Sequence, residues 1–400
     1  VTTGTRSVTV RAAILRLMIR AHVDEAQLAE AWTASGGRSL TDPAVPVPAR
    51  LVQGVLETIA ELDRHGAELA RDFAGSGLGV IAMKAAASGL PASGRISSGG
   101  ATRLLETADG WVALSMPRNG DHDLVPAWLQ IEGAVDDVWT VVTEEVRGRS
   151  CAVLVERAAL LGLACTEVGE AAARTTPAIP LTGGSAPPFR LKDATVVNLA
   201  SLWAGPLAAT VLGRLGARVI TVESTTRLDG GRAVPPFFAA VHEGHEFVTV
   251  DLGSASGVEV LRSLLLRADV VIEGSRPRAM SQLGINAMEL VANGPRVWMS
   301  ITAHGRRLPH GVRIGYGDDA AAAGGLVGWV DGGPVFIADA VADPITALTV
   351  ASVANRLAAT GGRWVVDVAL SRVAAALAPQ PNAAIPKRWA PKRSSVSRSM

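Results

Sequence analysis

From residue 194 onward the chain alternates short β-branched runs with helix-length amphipathic segments. No other feature narrows its possible folds as far. "ATVVNLA" at 194–200 leads into the helical "GPLAATVLGRLGA", and "RVITVES" at 218–224 follows. "FVTVDL", "GVEVLRSLLLRA", "DVVIEG", "MELVANG" and "RVWMSITA" continue the pattern, and a helix over 344–359 and the run "RWVVDVAL" close it. Strands joined by helical crossovers pair in parallel and must be covered on both faces. The predicted fold class is therefore α/β, with a doubly wound parallel sheet over residues 191–378.

The N-terminal part reads differently. "AAILRLMIRAHVDEAQLAEAW" and "PARLVQGVLETIAELDRHGAELARDF" have apolar residues at three- and four-residue spacing, so residues 1–75 are expected to be helical. "ATRLLET" and "WVALSM" flank an Asp-Gly turn at 109–110 and predict a hairpin. Helices are expected again through 121–164. Residues 1–171 thus form a helical and smaller α+β domain placed ahead of the sheet. Residues 172–190, rich in Pro, Gly, Ser and Thr, read as a linker. The tail 379–400 is Pro-rich and basic and is expected to be disordered.

Composition removes several function classes. The chain has 400 residues and a formal net charge of +1, so no global field favours nucleic acid. Apolar residues make up 48%, yet no uninterrupted run is long enough for a membrane span. Arginines scattered through the first segment break the apolar region that a signal peptide needs. The two cysteines, Cys151 and Cys165, form neither a disulfide framework nor a CxxC motif. A cytoplasmic protein with buried free thiols is expected, with no metal and no permanently bound cofactor.

Chemistry-bearing residues cluster in a few places, each with a plain structural alternative. The first strand–turn–helix unit lacks GxGxxG and has only Ala204, Gly205 and Pro206, although Glu223 ends the next strand. A nicotinamide cofactor is disfavoured, and α/β scaffolding accounts for the turn. "HEGHE" at 242–246 lacks zincin spacing and reads as a polar turn. Arg276 and Arg278, after the strand "DVVIEG", suit a phosphate at a strand's carboxyl end or a solvated loop. "RIGYGDD" carries Arg313, Tyr316, Asp318 and Asp319 ahead of a small-residue helix that the acids could cap. "FIADAVADPITAL" holds Asp339 and Asp343, with Pro344 next. Asp343 reads as the helix N-cap with Pro at the first helical position, held ionised by the helix dipole. Asp339 reads as a loop residue.

In order along the chain, "LWAGPLAATVLGRLGARVITVES", "VHEGHEFVTVDLGSASGVEVLRSLLLRADVVIEGSRPRAMSQLGI", "PRVWMSITAHG" and "PVFIADAVADPITAL…WVVDVAL" resemble the class III CoA-transferases. Formyl-CoA transferase, carnitine CoA-transferase and α-methylacyl-CoA racemase belong to that family. The resemblance covers 194–377 and implies a Rossmann-like CoA-binding catalytic domain. "TADGWVALSMP" and "AALLGLACTEVGEA" resemble the family's small domain, which usually follows the Rossmann-like half. The chain therefore looks circularly permuted. The resemblance also implies a homodimer.

By that resemblance Asp343 is the nucleophile that attacks an acyl-CoA thioester, and a free carboxylic acid is the acceptor. Ala204, Gly205 and Pro206 lie near the pantetheine and thioester, and Arg276, Arg278 and Arg313 near the CoA phosphates. Tyr316 and Asp319 line the acyl side, and Gly99 and Gly100 form a glycine loop over the intermediate. Two alternatives stand beside transfer: an acyl-CoA racemase or isomerase, and a catalytically inactive CoA-binding paralogue. Tyr316 occupies the racemase histidine position, which disfavours that branch. His245 and Glu246 stand where the family has a basic pair, "EGSRPR" replaces "ENFRPG", and Ala347 replaces a glycine.

Overall fold

The computed structural model describes residues 24–71, 77–133, 135–171, 178–275 and 277–379. The helix expected from residue 12 is described only from Glu25, and the linker residues 172–177 and the tail from 380 lie outside the described residues. No helix among the described residues is long and apolar enough to cross a membrane.

In the N-terminal half, helices Glu25–Ala34 and Ala49–Asp63 precede a three-stranded antiparallel sheet of order β1-β2-β3. Its strands are β1 (Thr102–Glu106), β2 (Trp111–Ser115) and β3 (Ala164–Glu167). The expected hairpin turns at Asp109-Gly110, and the Asp109 carboxylate accepts the Cys151 N–H at 2.8 Å, at the start of helix Cys151–Leu161. Both cysteines are buried free thiols, and burial pushes the Cys151 thiol up to about 12, which leaves it inert.

The strands of the main sheet are β4 (Ala178–Gly184), β5 (Thr195–Asn198), β6 (Arg218–Ser224), β7 (Glu246–Val250), β8 (Val270–Glu273) and β9 (Val297–Thr302). A small hairpin follows, β10 (Val327–Val330) and β11 (Gly333–Phe336), before β12 (Arg363–Ala369) rejoins the sheet. The order is β4-β12-β9-β8-β5-β6-β7. Every neighbouring pair is parallel except β4 on β12. Taken in chain order, the six parallel strands have the 3-2-1-4-5-6 arrangement of a doubly wound nucleotide-binding sheet.

One expectation needs correction. Part of 172–190 is not linker but the edge strand β4, whose Pro180 lies opposite Val366 beside a register shift. Pro and Gly weaken a strand's sequence signal, yet an edge strand tolerates both because one side makes no ladder bonds.

Helices Ala204–Arg214 and Ala342–Thr360 pack against each other over one face of this sheet. Every residue from Ala204 to Leu212 is buried, as are thirteen of the nineteen in the second helix. A helix that is apolar all round belongs in an interior. Glu61, from helix Ala49–Asp63, takes a two-pronged ion pair from Arg356 at 2.5 and 2.6 Å and ties the N-terminal half to this layer.

Candidate active site

In a doubly wound sheet, ligands bind in the crevice outside the carboxyl ends of the strands, where the strand order reverses. Here that point lies between β5 and β8. Asn198 ends β5 fully buried, and its amide bonds the Ala200 N–H and carbonyl at 3.1 and 3.0 Å, which shapes the following turn. Gly205 is forced by this turn, because a Cβ there would collide with the Ala200 methyl. The helix begins at Ala204, so Pro206 occupies its third position, where no N–H is needed. Leu202 sits at φ 71, in the left-handed region that a branched side chain rarely adopts, with its N–H on both Asp229 oxygens at 3.0 Å.

The second wall is the loop from β11 into helix Ala342–Thr360. Ala338 and Ala340 take φ 56 and φ 43, so two alanines flank Asp339 in a strained conformation. Such strain persists only where surrounding contacts overdetermine it. Those contacts are visible. Asp339 is fully buried, and Lys84 Nζ, from helix Met83–Ser88, reaches both of its oxygens at 3.1 Å. The Ala338 N–H donates to Thr41 Oγ1 at 3.0 Å and the Ala340 N–H to Asp318 Oδ1 at 2.9 Å.

Asp343 lies one residue inside the helix. Its N–H donates to the Ala340 carbonyl at 2.9 Å, and the N-cap is Val341, which makes no side-chain capping bond. Asp343 is therefore not the cap that its neighbour Pro344 suggested; the helix starts earlier because the strained turn already orients Val341. The expected ionisation is also reversed. The Asp343 carboxyl is pushed up to about 8 by burial and the neighbouring Asp318, and further by Asp339 and Asp319, with Lys84 opposing. Asp318 is pushed up to about 7 by burial and Asp339. Desolvation and like charge outweigh the helix terminus. So Asp339 and Asp343 do belong to one cluster of carboxyls, contrary to the sequence reading, and Asp318 joins them.

The cluster has a consequence for stability. A carboxyl whose proton affinity rises on folding contributes stability in full below its unfolded value, and loses it as pH climbs to the folded value. The fold should lose stability from about pH 4 to about pH 8 as Asp318 and Asp343 are forced to ionise. Asp343→Asn should raise the melting temperature at pH 8 by about 5 °C and leave it unchanged at pH 4. Thermal melts across that range test this.

The other expected residues divide. Gly99 stands 3.8 Å from Lys84 Nζ, measured from where its Cβ would be, and Gly100 takes φ 75 beside it. Trp203, just before the Ala204–Pro206 turn, has its ring centroid 6.0 Å from Lys84 Nζ. The glycine loop, the turn and the carboxylates thus meet around one lysine. Asp319 is not on the crevice: it is fully buried, accepting Ser115 Oγ and the Tyr316 N–H at 2.8 Å each. Burial pushes it up to about 7. Tyr316 is half-buried at the N-cap of helix Gly317–Ala323 and acts electrostatically on Arg118. Arg313 is committed to Glu170 at 2.6 Å and the Cys165 carbonyl at 3.1 Å. Arg276 and the side chain of Arg278 lie outside the described residues.

"HEGHE" is structural. His245 is held between the Thr210 and Thr221 hydroxyls at 3.0 and 2.9 Å, and burial pushes it down to about 3, so it carries no charge. Glu246 pairs with Arg218 at 2.7 and 2.6 Å.

The sequence reading missed Lys84. One signal was available: lysine occurs four times among 38 basic residues, and Lys84 precedes the others by more than a hundred positions.

Comparison with known proteins bears on the same half of the chain. A model of CoA-transferase family III matches residues 191–396. A Mycobacterium tuberculosis protein named a probable fatty acyl-CoA transferase is 36% identical over 38% of this chain and 39% of its own length. The mouse succinyl-CoA:glutarate CoA-transferase is 32% identical over 40% of this chain and 39% of its own. The chain thus spans about two fifths of these curated relatives. A crystal structure of a CaiB/BaiF family protein from Brucella suis matches 47% of this chain and 55% of its own at 30% identity, with a TM-score of 0.42.

Proposed function

Because the chain belongs to CoA-transferase family III, we propose that it moves CoA from an acyl-CoA thioester to a free carboxylic acid, with Asp343 as the nucleophile. The observation that carries this reading is the setting of Asp343. It is a half-buried carboxyl whose proton affinity is governed by burial and neighbouring charge rather than by hydrogen bonds, at the head of a helix packed on Ala204–Arg214. Once ionised, a carboxylate in such a setting is a nucleophile toward an acyl carbon.

In this mechanism an Asp343 oxygen adds to the thioester carbonyl and the C–S bond breaks. CoA departs as thiolate and leaves a mixed acyl-aspartyl anhydride. The thiolate then attacks the aspartyl carbonyl, releasing the first acid and forming aspartyl-CoA. The acceptor carboxylate repeats the exchange, and the thiolate finally takes the acceptor acyl group. The anhydride must be shielded from water, a role for the Gly99–Gly100 loop closing over Lys84 and Trp203. The Ala204–Pro206 turn would border the thioester, and Arg276 and Arg278 would hold CoA phosphates. Residues 1–171 would stand in for the family's small domain in permuted order, joined through 172–190 to the domain 191–378, and the assembly would be a homodimer.

The test is incubation with a panel of acyl-CoAs and hydroxylamine, followed by peptide mass mapping. A hydroxamate on Asp343, appearing only with acyl-CoA, is the expected result. Deuterium entering the α-carbon of the acyl-CoA without CoA exchange or adduct would instead assign a racemase and sink the transferase reading.

A further inference from the structure

Lys84 comes from a helix more than 250 residues away in sequence, yet it supplies the positive charge that opposes the neighbouring carboxyls at Asp343. Those charges come from three other elements. Asp318 and Asp319 lie on helix Gly317–Ala323, Asp339 on the strained turn, and Lys84 on helix Met83–Ser88. The geometry couples them tightly. Lys84 clamps Asp339 through both oxygens, and Asp339 sits between the two left-handed alanines. The Ala340 carbonyl takes the Asp343 N–H, and its N–H is taken by Asp318. Gly317 leaves no room between Asp343 Oδ2 and the Ala340 carbonyl. A displacement of Lys84 therefore changes both the charge near Asp343 and the turn that aims it.

We propose that Lys84 is a positioning residue for the reaction: through its ion pair with Asp339 it sets the fraction of Asp343 that is ionised and holds the turn that directs the carboxyl into the crevice. Lys84 does not touch the reacting atoms in this scheme. The carboxyls of Asp318, Asp339 and Asp319 all favour the protonated form of Asp343, and Lys84 opposes them, enlarging the ionised fraction that can attack. Lys84 is partly exposed and also faces Gly99 and Trp203, so closure of the glycine loop would strengthen its field by excluding water.

The inference rests on Asp343 as the nucleophile, but its test does not depend on turnover. Full-length protein labelled with ¹³C at the aspartate carboxyls is titrated by NMR, and the Asp343 resonance is assigned by its loss in Asp343→Asn. Lys84→Met should move the Asp343 midpoint up by about one unit or more, an approximately tenfold smaller ionised fraction at neutral pH. Lys84→Arg should restore the midpoint to within about half a unit. Asp339→Asn, which removes a negative charge and frees the lysine, should move it down. Opposite movement in the two charge-removing variants is the signature, because a merely loosened turn would shift both the same way. An unchanged Asp343 midpoint in Lys84→Met, or an upward shift in Asp339→Asn, overturns the proposal. If Lys84→Met fails to fold, the directions seen in Asp339→Asn and Lys84→Arg still decide it. Should the titration behave as stated while no acyl adduct forms, the transferase reading fails and the coupling stands.

Discussion

Asp343→Asn is expected to lower CoA exchange by about 10³-fold or more, because the amide cannot form the anhydride and the neighbouring carboxyls Asp318 and Asp339 are engaged elsewhere. Asp318 is held by the Ala340 N–H, and Asp339 is fully buried under Lys84. Affinity for CoA itself should stay within about threefold, since removing the nucleophile leaves binding contacts in place. Stopped-flow thiolate release measures the first quantity and calorimetry with CoA the second. If exchange survives Asp343→Asn within tenfold, another residue is the nucleophile and the proposed chemistry is wrong. Shape matters as well as charge: Asp343→Glu restores the carboxyl but displaces it, and misplacement by about 1 Å costs on the order of 10²-fold.

Gly317→Ala should also be damaging, without removing any functional group. A Cβ at this position would strike Asp343 Oδ2 and come within 2.5 Å of the Ala340 carbonyl and 2.7 Å of the Ala340 methyl. Two of these three atoms belong to the strained turn and cannot move cheaply. The carboxyl must then rotate out of line, and exchange should fall about 10²-fold. Overpacking should cost about 2 kcal/mol of stability. The pair of readouts, steady-state exchange and urea unfolding, separates the effects. Full activity in Gly317→Ala would mean that the Asp343 carboxyl does not react from this geometry.

Much of the fold is legible in the sequence. The β-branched runs after 194 become β5, β6, β7, β8, β9 and β12, because buried parallel strands need near-continuous apolar residues. The hairpin at Asp109-Gly110 is legible for a related reason: its turn chemistry is local. β4 is not, since its Pro and Gly speak against a strand until an edge is available to pair with. The β10–β11 hairpin is missed as well, although Asp331 and Gly332, at φ 50 and φ 75, make a tight turn.

The candidate site divides along the same line. Family resemblance picks out Asp343, and local spacing finds Asp318, Asp319 and Asp339. Their relation is another matter. Adjacent Asp318 and Asp319 face different partners, one the Ala340 N–H and the other Ser115 and Tyr316. Arg313, read as a phosphate ligand, instead pairs with Glu170, 143 residues earlier.

The sequence by itself determined the parallel sheet and its helical cover, and its family resemblance singled out Asp343 as the candidate nucleophile, because periodicity and motif are properties of neighbouring residues. Only the tertiary structure decided that Asp343 is not a helix cap held charged, but a carboxyl crowded by Asp318 and Asp339 and balanced by Lys84. Proton affinity depends on burial and on charges a few ångströms away in space, and those charges come from residues 84, 318 and 339.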